Sequence, residues 1–438
     1  MTLSFKNIAA VAAACISVFS AAQRPVPAPA QSQPVYITGA TIHTGRGDVQ
    51  SNASILFDQG KIVGINVPAP TGAKTINATG KHVYPGFILL NNTLGLIEIA
   101  STRATDDTGE ANVISPEVRT VVAWNTDSHI IPTIRTNGIL LAQPTMKGGI
   151  INGTSSIMNL DAWNWEDAVV AKDQVLHLTW PANRKIADEK RAKEYLDRRT
   201  ENINTIKGLF ARSKAYTTDG VKEYKLEAIS PVFSGKKTLF VEVSGADEAL
   251  EIIKFVKDAG VKNTVLVGDS SLLPVLDEIK AAGLPLVINR PHSLPAKSSD
   301  NPFLPYQFPK MVSDKGILYA LDYSGDMEYQ GSRNLPFIAG TTVAHGLDKE
   351  KALQSITYNA AKIAGIDNNY GSLEKGKSAT LFISDGDALD ELTNNVTHAF
   401  IDGREINLNN QQKELYRRYK EKYAYGDKNR GNNFSPKK

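Results

Sequence analysis

The residues best suited to chemistry stand just after short apolar segments that predict β-strands. Asp322 follows one such segment, and His292 follows another. A carboxylate or an imidazole at the end of a strand can take up or release a proton during a reaction. Arg290 and Arg333 each carry a planar guanidinium that can bind a carboxylate through two parallel hydrogen bonds. These four residues predict acid–base chemistry on a small anionic substrate.

The histidine and the two arginines also have a purely structural interpretation. His292 could serve as a hydrogen-bonded structural side chain, and the arginines could form salt bridges with acids of the fold. Asn334, which follows Arg333, either orients a ligand or caps the helix predicted after it. Trp163 and Trp165 either wall a binding cleft or pack beneath a loop. The residue types alone leave these alternatives open.

The patterns of several common enzyme classes are not found in the context that their chemistry requires. Neither a phosphate-binding P-loop nor Gly-x-Gly-x-x-Gly follows a predicted strand, and Gly-x-Ser-x-Gly does not occur. The single cysteine, Cys15, lies in an N-terminal apolar segment. Cleavage of that segment would remove it, so we expect neither disulfides nor thiol chemistry in the mature protein.

The first residues of the chain form a separate segment that predicts export. Lys6 precedes an apolar run, and residues 20–22, Ser-Ala-Ala, offer the small side chains that signal peptidase requires. The run is too short to span a membrane, so we predict a signal peptide over residues 1–22 and a periplasmic or secreted protein without a transmembrane segment. A lipoprotein signal cut before Cys15 and a buried N-terminal helix are the alternatives. Residues 23–34 are rich in Pro, Ala and Gln and predict an extended linker.

Composition and charge describe a globular protein with a basic C-terminal end. The chain has 438 residues, of which 42% are hydrophobic and 22% are charged, and its formal net charge is +3. This length is enough to bury the core of one large domain and a smaller one. Residues 411–438 are rich in Lys and Arg and predict a helix with a solvated basic tail. Binding of nucleic acid or of an anionic membrane surface is the alternative, but we predict no nucleic-acid partner.

Two kinds of sequence pattern make up the rest of the chain. Residues 35–82 and 376–410 contain short strand-like runs, with a hairpin predicted at Asp58-Gln59-Gly60, and we predict that they fold together. Residues 83–375 alternate strand-like and helical segments, which is typical of parallel βα units and predicts an α/β fold with a (β/α)8 barrel. The eight candidate barrel strands are 83–90, 139–143, 155–160, 175–179, 238–243, 264–267, 285–289 and 317–321.

Two helices of the barrel region carry specific predictions. The apolar spacing of residues 249–256 predicts a helix with one face toward the core, and Gly260 is predicted to end it. The charged segment 184–214 predicts a surface helix inserted after a strand. Such an insertion is either a lid over the active face or a decoration of the barrel.

Four motifs occur in an order that has a known parallel. They are Pro85-Gly86-Phe87-Ile88 at the first barrel strand, Arg333-Asn334-Leu335-Pro336 after the eighth, Thr357-Tyr358-Asn359-Ala360-Ala361-Lys362 in the last barrel helix, and the run 371–381. Together they resemble the amidohydrolase superfamily, and within it the imidazolonepropionase-like group, over most of residues 34–410. The resemblance implies a (β/α)8 barrel with a composite β-sandwich built from both termini. It also implies hydrolysis of non-peptide carbon–nitrogen bonds by metal-activated water.

Most metal ligands of that superfamily are replaced in this sequence. The usual set is His-x-His on the first strand, a carboxylated Lys or a Glu on the fourth, a His on the fifth and on the sixth, and an Asp on the eighth. The resemblance places Asn91 and Thr93 on the first strand, Glu242 on the fifth, and either Asp322 or Ser324 on the eighth. Amide and hydroxyl groups are weak zinc ligands, so we predict no cofactor. A single divalent metal such as zinc, held by Glu242 with Asp322, is the alternative.

Two functional hypotheses remain. In the first, an exported hydrolase uses Asp322 or His292 to activate water, and a small-molecule substrate is bound by Arg290, Arg333, Asn334, Glu242, Asn91 and Thr93. In the second, the barrel is catalytically silent and binds a small ligand or pairs with an intact family member, with a homo-oligomer as a further alternative. The large barrier to amide hydrolysis without a metal favours the second hypothesis, whereas the resemblance favours the first.

Overall fold

The computed structural model describes residues 26–217, 220–295 and 298–429. The predicted signal peptide, residues 1–22, lies outside the described residues, as does the end of the basic tail from residue 430 onward. No helix within the described ranges combines the length and the apolarity needed to span a bilayer.

Both ends of the chain contribute strands to one sheet, which we call the terminal sheet. Its strands are β1 (Val35–His43), β2 (Val49–Asp58), β3 (Lys61–Ile65), β4 (Lys74–Asn77), β5 (His82–Pro85), β14 (Leu381–Ser384), β15 (Val396–Ile401) and β16 (Arg404–Glu405). Their order is β16-β15-β14-β5-β1-β2-β3, with β4 alongside β1. Side chains on one face of this sheet, such as Ile37, Phe57 and Phe400 from three different strands, are buried in one apolar cluster. Successive side chains of a strand point to opposite faces, so one face can be buried while the other is not.

The predicted hairpin between β2 and β3 is confirmed. Gln59 and Gly60 have φ values of 48° and 76°, and positive φ at both central residues is the geometry of a type I′ turn. The predicted β-sandwich and the domain boundaries at residues 82/83 and 375/376 stay predictions. β5 begins at residue 82 and continues to residue 85, so it contains residues on both sides of the first boundary. It pairs with both β1 and β14 of the terminal sheet.

A second eight-stranded sheet curls into a nearly closed barrel. Its strands are β6 (Phe87–Asn92), β7 (Ile139–Pro144), β8 (Ile151–Asn159), β9 (Val169–Thr179), β10 (Thr238–Glu242), β11 (Thr264–Gly268), β12 (Leu286–Ile288) and β13 (Tyr319–Leu321). They follow one another in chain order, and a bridge between Leu90 and Asp322 brings the two edges together. Ile88, Leu141 and Phe240 are buried in one cluster contributed by most of these strands, which fills the interior.

The third barrel strand runs in the opposite direction to the other seven. β8 pairs antiparallel with both β7 and β9, whereas the remaining neighbours in the barrel pair in parallel. The predicted pattern of eight parallel strands is therefore wrong at this strand. The physical reason is connection length: residues 145–150 and 160–168 are too few for the crossover that parallel neighbours need. Hairpin-like connections fit both segments.

Helices cover much of the barrel. They are α1 (Thr120–Ala123), α2 (Ile131–Arg135), α3 (Trp165–Ala168), α4 (Glu189–Ala215), α5 (Tyr224–Ile229), α6 (Pro231–Ser234), α7 (Ala246–Ala259), α8 (Leu276–Ala281), α9 (Leu304–Asp314), α10 (Glu328–Gly331), α11 (Leu335–Ala344), α12 (Lys349–Ser355), α13 (Tyr358–Ile363) and α14 (Gln411–Asn429). Short 3-10 segments are Arg103–Thr105, Ser270–Val275 and Ser332–Asn334. The predicted helix α7 buries Ala249, Ile252 and Val256, and Gly260 ends it with φ of 79°. Both parts of that prediction are confirmed.

Residues 371–378 contain the letters of a P-loop, Gly-x-x-x-x-Gly-Lys-Ser, but not its structural context. They lie before β14 in the terminal sheet, and no helix begins there. The Lys377 ammonium forms an ion pair with Glu374 (Nζ to Oε2, 2.7 Å) and donates to the Ser372 hydroxyl at 2.6 Å. This segment is therefore a turn whose side chains bind one another. It is not a phosphate-binding loop, because such a loop is followed by the N-terminus of a helix.

Reversal of β8 moves the segment after it to the other edge of the barrel. Because β8 runs antiparallel to β7 and β9 and ends where they begin, residues 160–168 lie at the amino edge of the sheet. Trp163 and Trp165 belong to this segment. The interpretation of these tryptophans as walls of a cleft at the active face is wrong, and Trp163 is exposed.

A buried ion network at this amino edge joins three parts of the chain. The Asp161 carboxylate accepts hydrogen bonds from Arg135 at the end of α2, from Arg404 of the terminal sheet and from the backbone N–H of Ala28 in the linker. The side chains of Arg135 and Asp161 are 4% and 3% exposed. Barrel, terminal sheet and linker therefore share one buried carboxylate.

Candidate active site

Polar side chains replace apolar ones at the carboxyl edge of the barrel. Along β7 the residue after buried Leu141 on the same face is Gln143, and along β10 the residue after Phe240 is Glu242. We call the polar layer the mouth cluster. It consists of Asn91, Gln143, Lys147, His177, Glu242 and Asp322.

Asn91 lies at the centre of the hydrogen bonds in the mouth cluster. Its φ is 49°, in the left-handed region that asparagine tolerates better than most residues, and the pairing of β6 with β7 is irregular there. Its Nδ2 donates to Oδ2 of Asp322 at 3.0 Å, and its Oδ1 accepts from Nζ of Lys147 at 3.0 Å. Its backbone N–H donates to Oε1 of Gln143 at 3.0 Å. The predicted first-strand ligand position thus carries an amide that links an ammonium group to a carboxylate.

Asp322 is fully buried, with 0% of its surface exposed. Its Oδ1 accepts from the backbone N–H groups of Ser324 at 3.0 Å and Arg290 at 3.1 Å. Burial raises the pKa of this carboxyl group to about 7, although nearby Lys147 and the hydrogen bond from Asn91 act in the opposite direction. Of the two candidates on the eighth strand, Asp322 belongs to the mouth cluster, whereas the Ser324 hydroxyl contacts the Arg290 N–H at 3.4 Å.

His177 is a buried neutral base in the same layer. Its Nε2 is 2.7 Å from the hydroxyl oxygen of Ser155 on β8, and its ring packs edge-on against Phe240. Burial lowers the pKa of His177 to about 3, and the charge of Lys147 lowers it further. At neutral pH this imidazole is therefore uncharged and hydrogen-bonded to Ser155.

Glu242 and Thr93 occupy different parts of the mouth. Glu242 is half-buried and lines its open space together with Lys147. Thr93 is buried, and its backbone N–H donates to Oε1 of Glu328 at 3.0 Å. The other carboxylate oxygen of Glu328 accepts from Gly325 at 3.0 Å. Glu328 therefore ties the loop after the first strand to the loop after the eighth.

The structure does not gather all predicted site residues at the mouth. The backbone of Arg290 contacts Asp322, but its guanidinium lies 5.1 Å from the Tyr323 ring centre. Arg333 is exposed and lines a separate cleft of about 500 Å³ with Glu98 and residues of α2 and α14. The two guanidinium groups therefore line different surfaces.

His292 and Asn334 lie among the outer helices. His292 is exposed, its Nε2 is 2.8 Å from the Thr341 hydroxyl oxygen on α11, and its ring packs edge-on against Tyr306 of α9. Asn334 precedes α11, but its side chain makes no capping hydrogen bond. The alternative in which Asn334 caps this helix is therefore wrong.

Three members of the site had no place in the sequence-based predictions. Gln143 and Ser155 looked like ordinary strand residues. Lys147 lies in the loop after the second predicted strand, 139–143, and a cation in a loop at the end of a barrel strand was the one available signal. Its partner Asn91 is distant in sequence, so the contact itself could not be predicted.

The mouth of the barrel is nearly filled. The open space bounded by Asn91, Lys147, His177 and Glu242 is about 10 Å³. That volume is close to the minimum that holds one water molecule. A larger cleft of about 540 Å³ lies between α4 and α7, outside the barrel.

The mouth cluster does not fit the metal centre that the superfamily implies. Among the described residues, no group of three or more His, Cys, Asp and Glu side chains could hold a metal ion. The Nε2 of His177 is committed to Ser155, and an ammonium group stands beside the first-strand position. A divalent cation would be repelled by Lys147 and would find only two carboxylates in the mouth cluster, Glu242 and Asp322, of which Asp322 already accepts hydrogen bonds at both oxygens.

Comparison with known proteins shows a partial family match and a shared fold. The model described as "Amidohydrolase family" matches residues 309–406. The fold is similar to that of an amidohydrolase from Thermotoga maritima MSB8, with a TM-score of 0.74, 20% identity, and coverage of 85% of this chain and 99% of that one. The family match covers only part of the chain, and the similarity to this solved structure extends the shared fold over most of its length. The predicted resemblance to the amidohydrolase superfamily is confirmed, and the narrower imidazolonepropionase-like group stays a prediction.

Other solved structures share the amidohydrolase fold at lower similarity. A molinate hydrolase has a TM-score of 0.54 and 14% identity over 86% of this chain and 95% of its own. Phenylurea hydrolase B has a TM-score of 0.52 and 11% identity over 86% of this chain and 97% of its own. A comparison with curated proteins gave no match. At these identities the likeness of this chain to the solved structures concerns the fold alone.

Proposed function

We propose that this chain is an exported hydrolase of non-peptide carbon–nitrogen bonds that works without a metal, and that Asp322 is its general base. The observation that carries the proposal is a fully buried carboxyl group at the barrel mouth with a pKa of about 7. A strongly shifted pKa at the end of barrel strands is typical of acid–base sites. Two structures with a similar fold bear the names molinate hydrolase and phenylurea hydrolase B. Export rests on the pattern of residues 1–22.

The chemistry assigned to Asp322 is a balanced proton transfer. Ionised Asp322 takes a proton from a water molecule as its oxygen attacks the carbonyl carbon of the substrate. The carbon–nitrogen bond then breaks, and Asp322 returns the proton to the leaving nitrogen. A base with a pKa near the working pH is effective in both steps. Substrate entry requires the loops over the mouth to open, since the open space there is about 10 Å³.

The pH dependence of hydrolysis tests the state of Asp322. Because the group acts in its ionised form and its pKa is about 7, kcat/KM is expected to fall about tenfold for each pH unit below about 7 and to level off above it. Initial rates at constant ionic strength between about pH 5 and about pH 9 measure the profile. A flat profile across this range would exclude a base of this pKa.

Chelation tests independence from metal. The mature protein is expected to keep its hydrolytic activity after dialysis against EDTA, because the mouth cluster supplies too few free donors to hold a divalent ion. Elemental analysis before and after dialysis is the measurement. Stoichiometric zinc, iron or manganese that is lost together with activity would overturn the metal-free site.

A second function is favoured by the small open space in the mouth. A catalytically silent barrel needs no substrate room between Asn91, Lys147 and Glu242, and it would act by binding a small ligand elsewhere or by pairing with an intact family member. A panel of N-acyl amino acids, ureas and cyclic amides distinguishes the two functions. Turnover that disappears in Asp322→Asn supports the hydrolase, and the absence of any Asp322-dependent turnover supports the silent barrel.

A further inference from the structure

Lys147 lies in the connection between β7 and the reversed strand β8. Residues 145–150 form this connection at the carboxyl edge of the barrel, so the side chain reaches the mouth directly. The backbone N–H of Lys147 donates to the carbonyl of Thr108 at 2.7 Å, which fixes the loop against the segment above it. Its Nζ donates to Oδ1 of Asn91 at 3.0 Å. The position of this ammonium group is therefore held at both ends of the residue.

We propose that the Lys147 ammonium is a built-in cation that takes the electrostatic place of the catalytic metal in this barrel. The resemblance places Asn91 where the superfamily has a metal-binding histidine, and in the structure Asn91 contacts Lys147 through one amide atom and Asp322 through the other. The ammonium thus reaches the acid of the eighth strand through the residue at the first-strand ligand position. A role of Lys147 in catalysis rests on the proposed hydrolase function. Its electrostatic effect on the ionisation of Asp322 does not depend on that function.

The charges around Lys147 support this assignment. Asp322 is fully buried, and an isolated carboxylate in such a place would stay protonated near neutral pH. Lys147 favours its ionised form, whereas Glu328 on the other side opposes it. Glu242 faces the same open space, and His177 is held neutral beside it. A single fixed positive charge among these groups has the sign, though half the magnitude, of a divalent ion.

Filling of the mouth is the second consequence of this arrangement. With the lysine side chain in place, the open space is about 10 Å³. A metal ion and its bound water would have to share that space with the ammonium group. The built-in cation therefore also explains why the donor set of the superfamily is incomplete here: a metal at this place would be excluded by charge and by volume.

The test measures folding stability and needs no substrate. Lys147→Met removes the charge, and Lys147→Gln removes it while keeping an N–H donor for Asn91. Both are expected to lower Tm at least about twice as much at about pH 8, where Asp322 is ionised, as at about pH 5.5, where it is protonated. Lys236→Met, at an exposed lysine, is the matched control and is expected to leave Tm nearly unchanged at both pH values.

A double-mutant cycle assigns the effect to Asp322. In an Asp322→Asn background, the Tm loss caused by Lys147→Gln is expected to become the same at both pH values, because the ionising partner is gone. Equal losses at both pH values in the Asp322-containing protein would overturn the inference and leave Lys147 as a loop anchor. If no substrate is hydrolysed but the cycle behaves as expected, the proposed hydrolase fails while the built-in cation stands.

Discussion

Replacing Asp322 with asparagine is expected to lower kcat/KM by about 10²–10⁴-fold for any substrate that the protein hydrolyses, which is the usual contribution of a general base. The amide oxygen can still accept hydrogen bonds from the N–H groups of Arg290 and Ser324. It cannot take a proton from water, so the loss is expected in kcat more than in KM. Steady-state kinetics on a substrate found with the wild-type protein measures it, with Asp326→Asn, an exposed acid on the same loop, as the control.

The stability of the same variant separates loss of chemistry from loss of fold. The folded pKa of Asp322 is about 7 and its ordinary value is 3.8, so the carboxyl group lowers stability progressively as pH rises from about 4 to about 7. At about 1.4 kcal/mol per pKa unit, this cost is on the order of 4 kcal/mol at pH 8. The asparagine variant does not ionise, but its amide nitrogen faces Nδ2 of Asn91, and loss of that hydrogen bond costs about 1–3 kcal/mol, less than the cost of ionisation. We therefore expect it to be at least as stable as the wild type at about pH 8; a marked destabilisation there, with activity lost in proportion, would mean that Asp322 is structural.

Replacing Asp161 with alanine is expected to lower the free energy of unfolding by about 3–5 kcal/mol, because it leaves the buried guanidinium of Arg135 without its carboxylate. The backbone N–H of Ala28 and the side chain of Arg404 lose an acceptor at the same time. Urea denaturation followed by circular dichroism measures the loss.

The matched control for this change is Asp167→Ala, at an exposed acid a few residues further along the same connection. It is expected to change the free energy of unfolding by no more than about 1 kcal/mol. A loss of less than about 1 kcal/mol for Asp161→Ala as well would show that the ion network contributes little. In that case Arg135 would have to be hydrated or neutral after the change.

Sequence patterns predicted the elements of this fold better than their directions. The apolar runs identified the barrel strands because a buried strand needs consecutive apolar residues, and Gly260 marked the end of α7 because few other residues adopt positive φ there. The direction of β8 is not encoded in its apolar pattern, since a strand reads the same whichever way it runs. Only the short connections on either side of it carried that information. The first predicted strand, 83–90, was divided at Gly86 between the two sheets for a similar reason, because both parts are apolar.

The sequence predicted those site residues whose role follows from their position at the end of a strand. It did not predict those whose role depends on contact with a residue distant in sequence. Asn91 and Asp322 were identified from their strand positions, and the structure joins them by one hydrogen bond. The two arginines, Arg290 and Arg333, follow neighbouring elements in the sequence, but their side chains line different surfaces. Side-chain direction in loops depends on the packing of the whole barrel, and no short-range pattern contains it.

The reversed strand β8 affects the conformational entropy that the loop at the mouth loses when a ligand binds. In an all-parallel barrel the second strand would be followed by a long loop and a helix, and a lysine in such a loop would have to be ordered at each binding event. Here residues 145–150 are anchored at both ends in the same sheet, so their conformational entropy is lost once, when the barrel folds. The positive charge at the mouth is thereby preorganised, and a ligand that uses it need not bear the cost of fixing it in place.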